Sequence, residues 1–266
     1  MPTMENLSAL GSLVNNDVQF KSNLARLASA KRISSAADDP AGFSIAQTLQ
    51  AEIGSSLAAG RSSNLGVSMA QVAEGAASTV QGQLSRMREL SVQASSGTIN
   101  DSQRQIISEE ISSIQAEINR VGESTEFNGQ HLVSSDSTMG VQVGPNAGDQ
   151  VDIEFSELST AALGVDSVDV STQGGAQAAL DQIDAALQDV NSQRANYGVS
   201  ENRLESAISN LYERVENTES ARSRIEDADY AWETALKAQN QLKQDVSISI
   251  QAQANNMSTS ASGLIW

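Results

Sequence analysis

LDQIDAALQDVNSQRANYGVSENRLESAISNLYERVENTESARSRI, residues 180–225, is the stretch that decides the fold. Steps of three and four residues alternate through Leu180, Ile183, Leu187, Val190, Arg194, Tyr197, Glu201, Leu204, Ile208, Leu211, Val215, Thr218, Arg222 and Ile225, and ten of these fourteen positions are apolar. A stripe repeating every ~3.5 residues over such a length is a coiled-coil seam, which needs partner helices to cover it. Two candidates lie upstream. Ile107, Ile111, Ile114, Ile118 and Val121 form one stripe, and Val72, Ala76, Val80, Leu84, Met87 and Leu90 form another with smaller side chains. Three helices close one bundle.

The boundaries of these helices are written in their caps. Asp39 before Pro40 supplies an N-cap followed by a residue tolerated in the first turn, and proline disfavours helix in the residue before it, so a long helix starts there. SSGTIN (residues 95–100) is a turn, with Asn100 or Asp101 placed to cap the next helix, and the two helices make an antiparallel hairpin. Between Phe127 and Thr172 the period changes to two. Val151, Ile153 and Phe155 alternate with Asp152 and Glu154, Val141 and Val143 flank Gln142, and PNAG lies between, so a small antiparallel sheet is expected. The predicted fold is mainly α: long antiparallel helices in a coiled-coil-like bundle drawn from both chain ends, with a small β-hairpin region in the middle.

Composition agrees with helices packed side by side. Aromatic residues are only 3% of the 266, so apolar contact must come from Ala, Leu, Ile and Val at helical spacing, and an elongated shape is expected. A net charge of −17 opposes binding to nucleic acid or anionic lipid. Cysteine is absent, which excludes disulfides and thiolate chemistry and permits life outside the cell. The opening MPTMENLSALGSLVNN lacks the basic and apolar regions of a cleavable signal peptide.

The two ends differ from the rest. All 16 basic residues lie between Lys21 and Lys243. From Val246 to Trp266 no side chain is charged, yet ten of the 21 residues are Ser, Thr, Asn or Gln, too polar for a membrane span. A thin apolar face remains at Leu242, Val246, Ile250, Met257 and Leu264, matched at the other end by Leu7, Leu10, Val14 and Val18. Such faces do not offset an ordering cost of roughly 1–2 kcal/mol per residue. The ends are therefore expected to be disordered in the monomer and to fold when paired with each other and with neighbouring copies. A head-to-tail interface that does not close a ring generates an open helical filament.

Two short segments, RLASAKRISSAADDPAGFSIA (residues 26–46) and SARSRIEDADYAW (residues 220–232), resemble the paired signatures of bacterial flagellin. The resemblance extends through GQLSRMRELSVQASSGT, EINRVGESTEFNGQHLV and VQVGPNAGDQVDIEF to the closing QAQANNMSTSASGLIW. The chain looks like a short flagellin without outer variable domains, and Ala30 stands where that family commonly has glycine. The resemblance implies residues 1–39 as the N-terminal helix of an inner filament-core domain, 40–225 as a helical-bundle domain including a β-hairpin region at 127–172, and 226–266 as the C-terminal helix of the core domain. It further implies export by the flagellar type III apparatus, an extracellular place in the flagellum, and dealings with an export chaperone, a filament cap and hook-associated proteins. Arg86, Leu90 and Glu110 match positions at which flagellins meet the animal Toll-like flagellin receptor, and they are equally suited to contacts between stacked subunits.

Three functions compete. A self-assembling filament subunit leads. A hook-filament junction protein shares the KRI…ADDP-like stretch, but SRIEDADYA and the FNG turn favour flagellin. A coiled-coil adaptor or export chaperone would explain heptads and acidity, but not two terminal stripes flanking a strand-rich middle. Catalysis is not expected. The one histidine, His131, lies in a strand-like segment, and Glu109 with Glu110 and Asp38 with Asp39 are neighbours in sequence rather than acids opposed across a cleft. No cofactor or metal site is expected either.

Overall fold

A computed structural model describes residues 4–263. In chain order the elements are α1 (Met4–Ser29), α2 (Pro40–Ser95), α3 (Asp101–Ser124), β1 (Glu126–Phe127), β2 (Gln130–His131), β3 (Ser137–Gln142), β4 (Gln150–Phe155), α4 (Gln173–Glu226) and α5 (Tyr230–Gly263). The chain divides into two compact units, one of residues 1–53 with 216–266 and one of residues 54–215.

The unit of residues 54–215 is built on the expected seams. Ile183, Val190, Tyr197, Leu204 and Leu211, one residue in seven along α4, are buried. All five members of the α3 stripe are buried as well. On α2, Ala76, Val80, Leu84, Met87 and Leu90 are buried, but Val72 is exposed and Ala73 takes its place inside. A straight helix drifts relative to a seven-residue repeat, so the line of contact moves to the neighbouring position after a few turns. Leu132, Val133, Phe155, Leu158, Leu163, Val165 and Val170, from the segment between α3 and α4, complete the same core.

Strand geometry in this segment follows from alternation. β3 and β4 are antiparallel with Val141 opposite Val151 and Met139 opposite Ile153, so Val141, Ile153 and Phe155 point inward while Asp152 and Glu154 face water. The Phe155 ring lies 5.9 Å from that of Tyr197 on α4. Burial pushes the Tyr197 hydroxyl pKa upward. The turn of the β1–β2 hairpin is Asn128–Gly129, with φ of +51° and +78°, the left-handed pair that a two-residue type I′ turn requires.

Two caps fix the α2–α3 connection. Asn100 accepts a hydrogen bond from the Gln103 backbone N–H at 2.9 Å, and the Gln103 side chain accepts one from the Asn100 N–H at 3.0 Å, a reciprocal capping box. Arg104 is buried and turns back onto the end of α2, donating to the carbonyls of Ala94 at 3.0 Å and Ser96 at 3.1 Å. Two ion pairs tie α2 to α4: Arg194 to Glu74 and Arg88 to Asp184, each at 2.6 Å.

Because Ile118 is fully buried and Ile106 on the same helix is exposed, their truncations should separate cleanly. Ile118→Ala is expected to destabilise the chain by roughly 2–5 kcal/mol. Ile106→Ala should stay within about 0.5 kcal/mol of the parent. Chemical denaturation followed by circular dichroism measures both.

Candidate assembly site

In the unit of residues 1–53 and 216–266, both signature segments are explained by the bonds they make to each other. Lys31 and Asp227 form an antiparallel bridge. The Glu226 carbonyl accepts from the N–H groups of Arg32 at 2.6 Å and Ile33 at 3.3 Å, and Ala228 N–H donates to the Ala30 carbonyl at 3.0 Å. The Glu226 carboxylate is buried and meets Lys31 Nζ at 2.5 Å and Arg222 at 2.9 Å. Arg32 reaches the Ile225 carbonyl at 2.6 Å. This clasp joins the break between α1 and α2 to the break between α4 and α5.

The remaining acids of the signatures cap and brace. Asp38 accepts from the backbone N–H groups of Ser35 at 3.0 Å and Ser34 at 3.1 Å and from both serine hydroxyls, which holds its carboxyl below the usual aspartate range. Asp39 caps α2 through the N–H groups of Ala41 and Gly42, and Asp229 caps α5 through those of Ala231 and Trp232. Ala30, just past the end of α1, has φ of +56°. That is the left-handed conformation in which glycine is the unstrained residue.

Beyond the clasp, α1 and α5 run side by side as helices where the sequence suggested disorder in the isolated chain. Their shared seam is polar. Asn16 donates its side-chain amide to the Asn240 carbonyl at 2.9 Å. Asn23 donates to the Glu233 carbonyl at 3.0 Å and to the Glu233 carboxylate, which also faces Arg26 at 3.6 Å. Asn16, Asn23, Glu233 and Asn240 are all buried, and with Leu13, Phe20 and Leu27 half-buried, α1 presents a mixed inner face. Among the described side chains of α5 beyond Asn240, the half-buried ones are Gln244, Ser247, Gln251 and Ala254.

The apolar faces expected at the ends point elsewhere. Val14, Val18, Leu242, Val246, Ile250 and Met257 are all more than half exposed, so these stripes are not packed on each other within the chain. Leu7 and Leu10 belong to α1, but their side chains lie outside those described, and Leu264 lies outside the described residues. Nothing in the apolar pattern pointed to the polar seam. The signal that finds it is the interval of seven separating Asn16 from Asn23 and Glu226 from Glu233 and Asn240.

In the larger unit, Arg86 bridges to Glu110 at 2.8 Å and to Glu89 at 3.2 Å, bonds that raise its pKa and keep it charged. Arg86 and Glu110 are about half exposed, whereas Leu90 is buried beneath them and belongs to the core. The structure thus brings the three together with one of them supporting the surface from below. His131 sits exposed on β2. Among the described residues, no group of His, Cys, Asp and Glu is arranged to hold a metal ion, and no helix is long and apolar enough to cross a membrane.

Comparison with known proteins places this architecture. Residues 3–138 match the bacterial flagellin N-terminal helical region, and residues 180–262 match the C-terminal helical region. The chain is 33% identical to the flagellin of Halalkalibacterium halodurans over 258 residues, spanning 96% of this chain and 94% of that one. The crystal structure of Bacillus cereus flagellin aligns with a TM-score of 0.51 at 24% identity, covering 57% of this chain and 88% of that chain. A Vibrio parahaemolyticus structure described as a flagellar hook-associated protein aligns with a TM-score of 0.61 at 15% identity, covering 71% of this chain and all of that one. At these identities the structural likenesses show a shared fold, and the sequence matches decide the family. The chain belongs to the bacterial flagellin family, and it is a structural subunit of the flagellar filament.

Two measurements probe the clasp. Ala30→Gly should stabilise the protein by roughly 0.5–1 kcal/mol, the relief of a left-handed alanine less the flexibility gained by the unfolded chain. Thermal or denaturant melts of full-length protein read this. Asp38 stabilises the fold fully above the unfolded aspartate pKa, and the contribution shrinks as pH falls past that value and is gone below the lowered folded one. Stability measured against pH should therefore fall less steeply below about pH 4 in Asp38→Asn than in the parent.

Proposed function

We propose that the exposed stripes Val14 and Val18 on α1 and Leu242, Val246, Ile250 and Met257 on α5 are the surfaces through which copies of the chain pack in the filament. The observation that carries this reading is their exposure on helices whose inner seam is polar. Apolar faces gain about 25 cal/mol per Å² when covered. Single isolated helices cannot cover them, and repeated head-to-tail copies can, without limit. In this reading residues 1–39 and 226–266 form the inner filament core, residues 40–225 form the helical-bundle domain, and the protein is no enzyme.

Resemblance to flagellins supports proposing further partners: the flagellar export apparatus with its chaperone, the filament cap, the hook-associated proteins and, in an animal host, the Toll-like flagellin receptor. For that receptor the Arg86–Glu110 pair offers an exposed, oriented charge pattern, and Leu90 holds the α2 surface in place beneath it.

Deleting residues 242–266 should abolish polymerisation while the bundle of residues 40–225 keeps its helical circular dichroism. Normal filaments from the truncated chain, seen by negative-stain microscopy after seeding, would refute the packing role. Arg86→Ala should weaken receptor signalling by the soluble chain in a reporter assay. Unchanged signalling would remove Arg86 from the receptor surface.

A further inference from the structure

The buried polar residues of the terminal pair share one interval. Asn16 and Asn23 are seven apart on α1, and Glu226 at the end of α4 is followed at intervals of seven by Glu233 and Asn240 on α5. Each step of seven along α1 is matched by a step of seven back along the C-terminal segment: Asn16 meets Asn240, Asn23 meets Glu233, and Ala30 lies where the chain crosses Glu226. A buried amide N–H that loses its acceptor is costly, and single buried asparagines are known to fix coiled-coil register at some expense in stability.

We propose that Asn23 and Glu233, with Asn16 one repeat away, are specificity residues that set the register in which the two chain ends pair, and that the Glu226 clasp selects one register from those a seven-residue repeat allows. Sliding α5 by three or four residues would carry Lys237 or the apolar stripe toward the asparagine amides. Sliding it by seven, about 10.5 Å, would present Glu226 or Ser247 instead and preserve much of the pattern. The heptad-shifted registers are excluded by Glu226, already engaged by Lys31, Arg222 and the backbone of Arg32 and Ile33. Asn16 takes a main-chain carbonyl, which any residue offers, so the discrimination lies in the Asn23 amide and the Glu233 carboxylate. Pairing through the apolar stripes would leave that buried carboxylate without its donor, and the stripes stay free for other copies. The proposal rests on the pairing of α1 with α5 and stands apart from the filament-packing role of the stripes.

The absence of cysteine makes the test direct. Gln19 and Gln239 line the same cleft between α1 and α5, and Trp232, one repeat away from Gln239, does not line it. Cysteine pairs at 19 with 239 and 19 with 232 would be introduced into the full chain and trapped with a short bifunctional maleimide at low protein concentration, scoring only the intramolecular product. The parent seam should yield the 19–239 product at least about fivefold over the shifted 19–232 pair, the bias expected from keeping one buried amide bonded. Asn16→Leu with Asn23→Leu should bring the two yields within about twofold of one another with helix content by circular dichroism undiminished, because removing the polar requirement removes the discrimination. Glu226→Gln with Lys31→Ala should raise the shifted product alone. Equal trapping of both pairs in the parent would overturn the proposal. So would strict 19–239 trapping in the leucine variant, or loss of all products together with helix, which would show that the asparagines hold the pair together rather than choose its register. A parent chain that traps only 19–239 yet never elongates into filaments would leave the register code intact and sink the packing role of the stripes.

Discussion

Glu226 is the residue on which the paired ends of this chain depend. A carboxylate taken out of water is tolerated only when cations and donors surround it, and removing one partner of a buried pair costs about 3–5 kcal/mol. Here Lys31 and Arg222 hold the carboxylate while the same residue's carbonyl receives two backbone N–H groups from the opposite end of the sequence. Both helix breaks are consequently fixed at one point. The caps at Asp39 and Asp229 then start α2 and α5 from a defined place.

The two units solve opposite problems with the same periodicity. In the bundle, residues at heptad spacing are apolar and the seam is dry, with Ile183, Val190 and Tyr197 buried in series. In the terminal pair, the fully buried heptad positions are asparagine and glutamate, Leu13, Phe20 and Leu27 are half-buried beside them, and the stripes of Val14, Val18, Leu242, Val246 and Ile250 stand outside. An apolar seam within the terminal pair would satisfy the chain by itself. A polar one leaves hydrophobic surface unspent until other copies arrive, which is what a polymer subunit needs.

Much of this was legible in the residues. Alternating steps of three and four named the seams of α3 and α4, Asp39–Pro40 and Asn100 located two helix starts, and period-two runs with PNAG located β3 and β4. What escaped was long-range polar chemistry. A buried arginine such as Arg104 looks like any surface arginine until the end of the preceding helix is seen to present its carbonyls. Asn16 and Asn23 belong to a residue type ordinarily found outside, and only the matching interval on a segment more than two hundred residues away marks them as inner positions. The apolar stripes at the ends were visible, but periodicity cannot tell a face that packs within the chain from one held for a neighbour.

The distance between partners carries one more consequence, for the order of folding. The Asn16–Asn240 bond joins residues 224 apart, whereas the α2–α3 hairpin pairs Arg86 with Glu110 across 24. Contacts of long separation form slowly because the entropy of closing the intervening chain must be met before they contribute anything. The bundle, rich in local closures, should therefore assemble first and the terminal pair last. The element that closes last is also the one with the least buried apolar contact of its own, so it should be the first to open under thermal fluctuation. A subunit built this way can mature in two stages, with a stable body acquired alone and its ends left in exchange until a growing polymer end captures them.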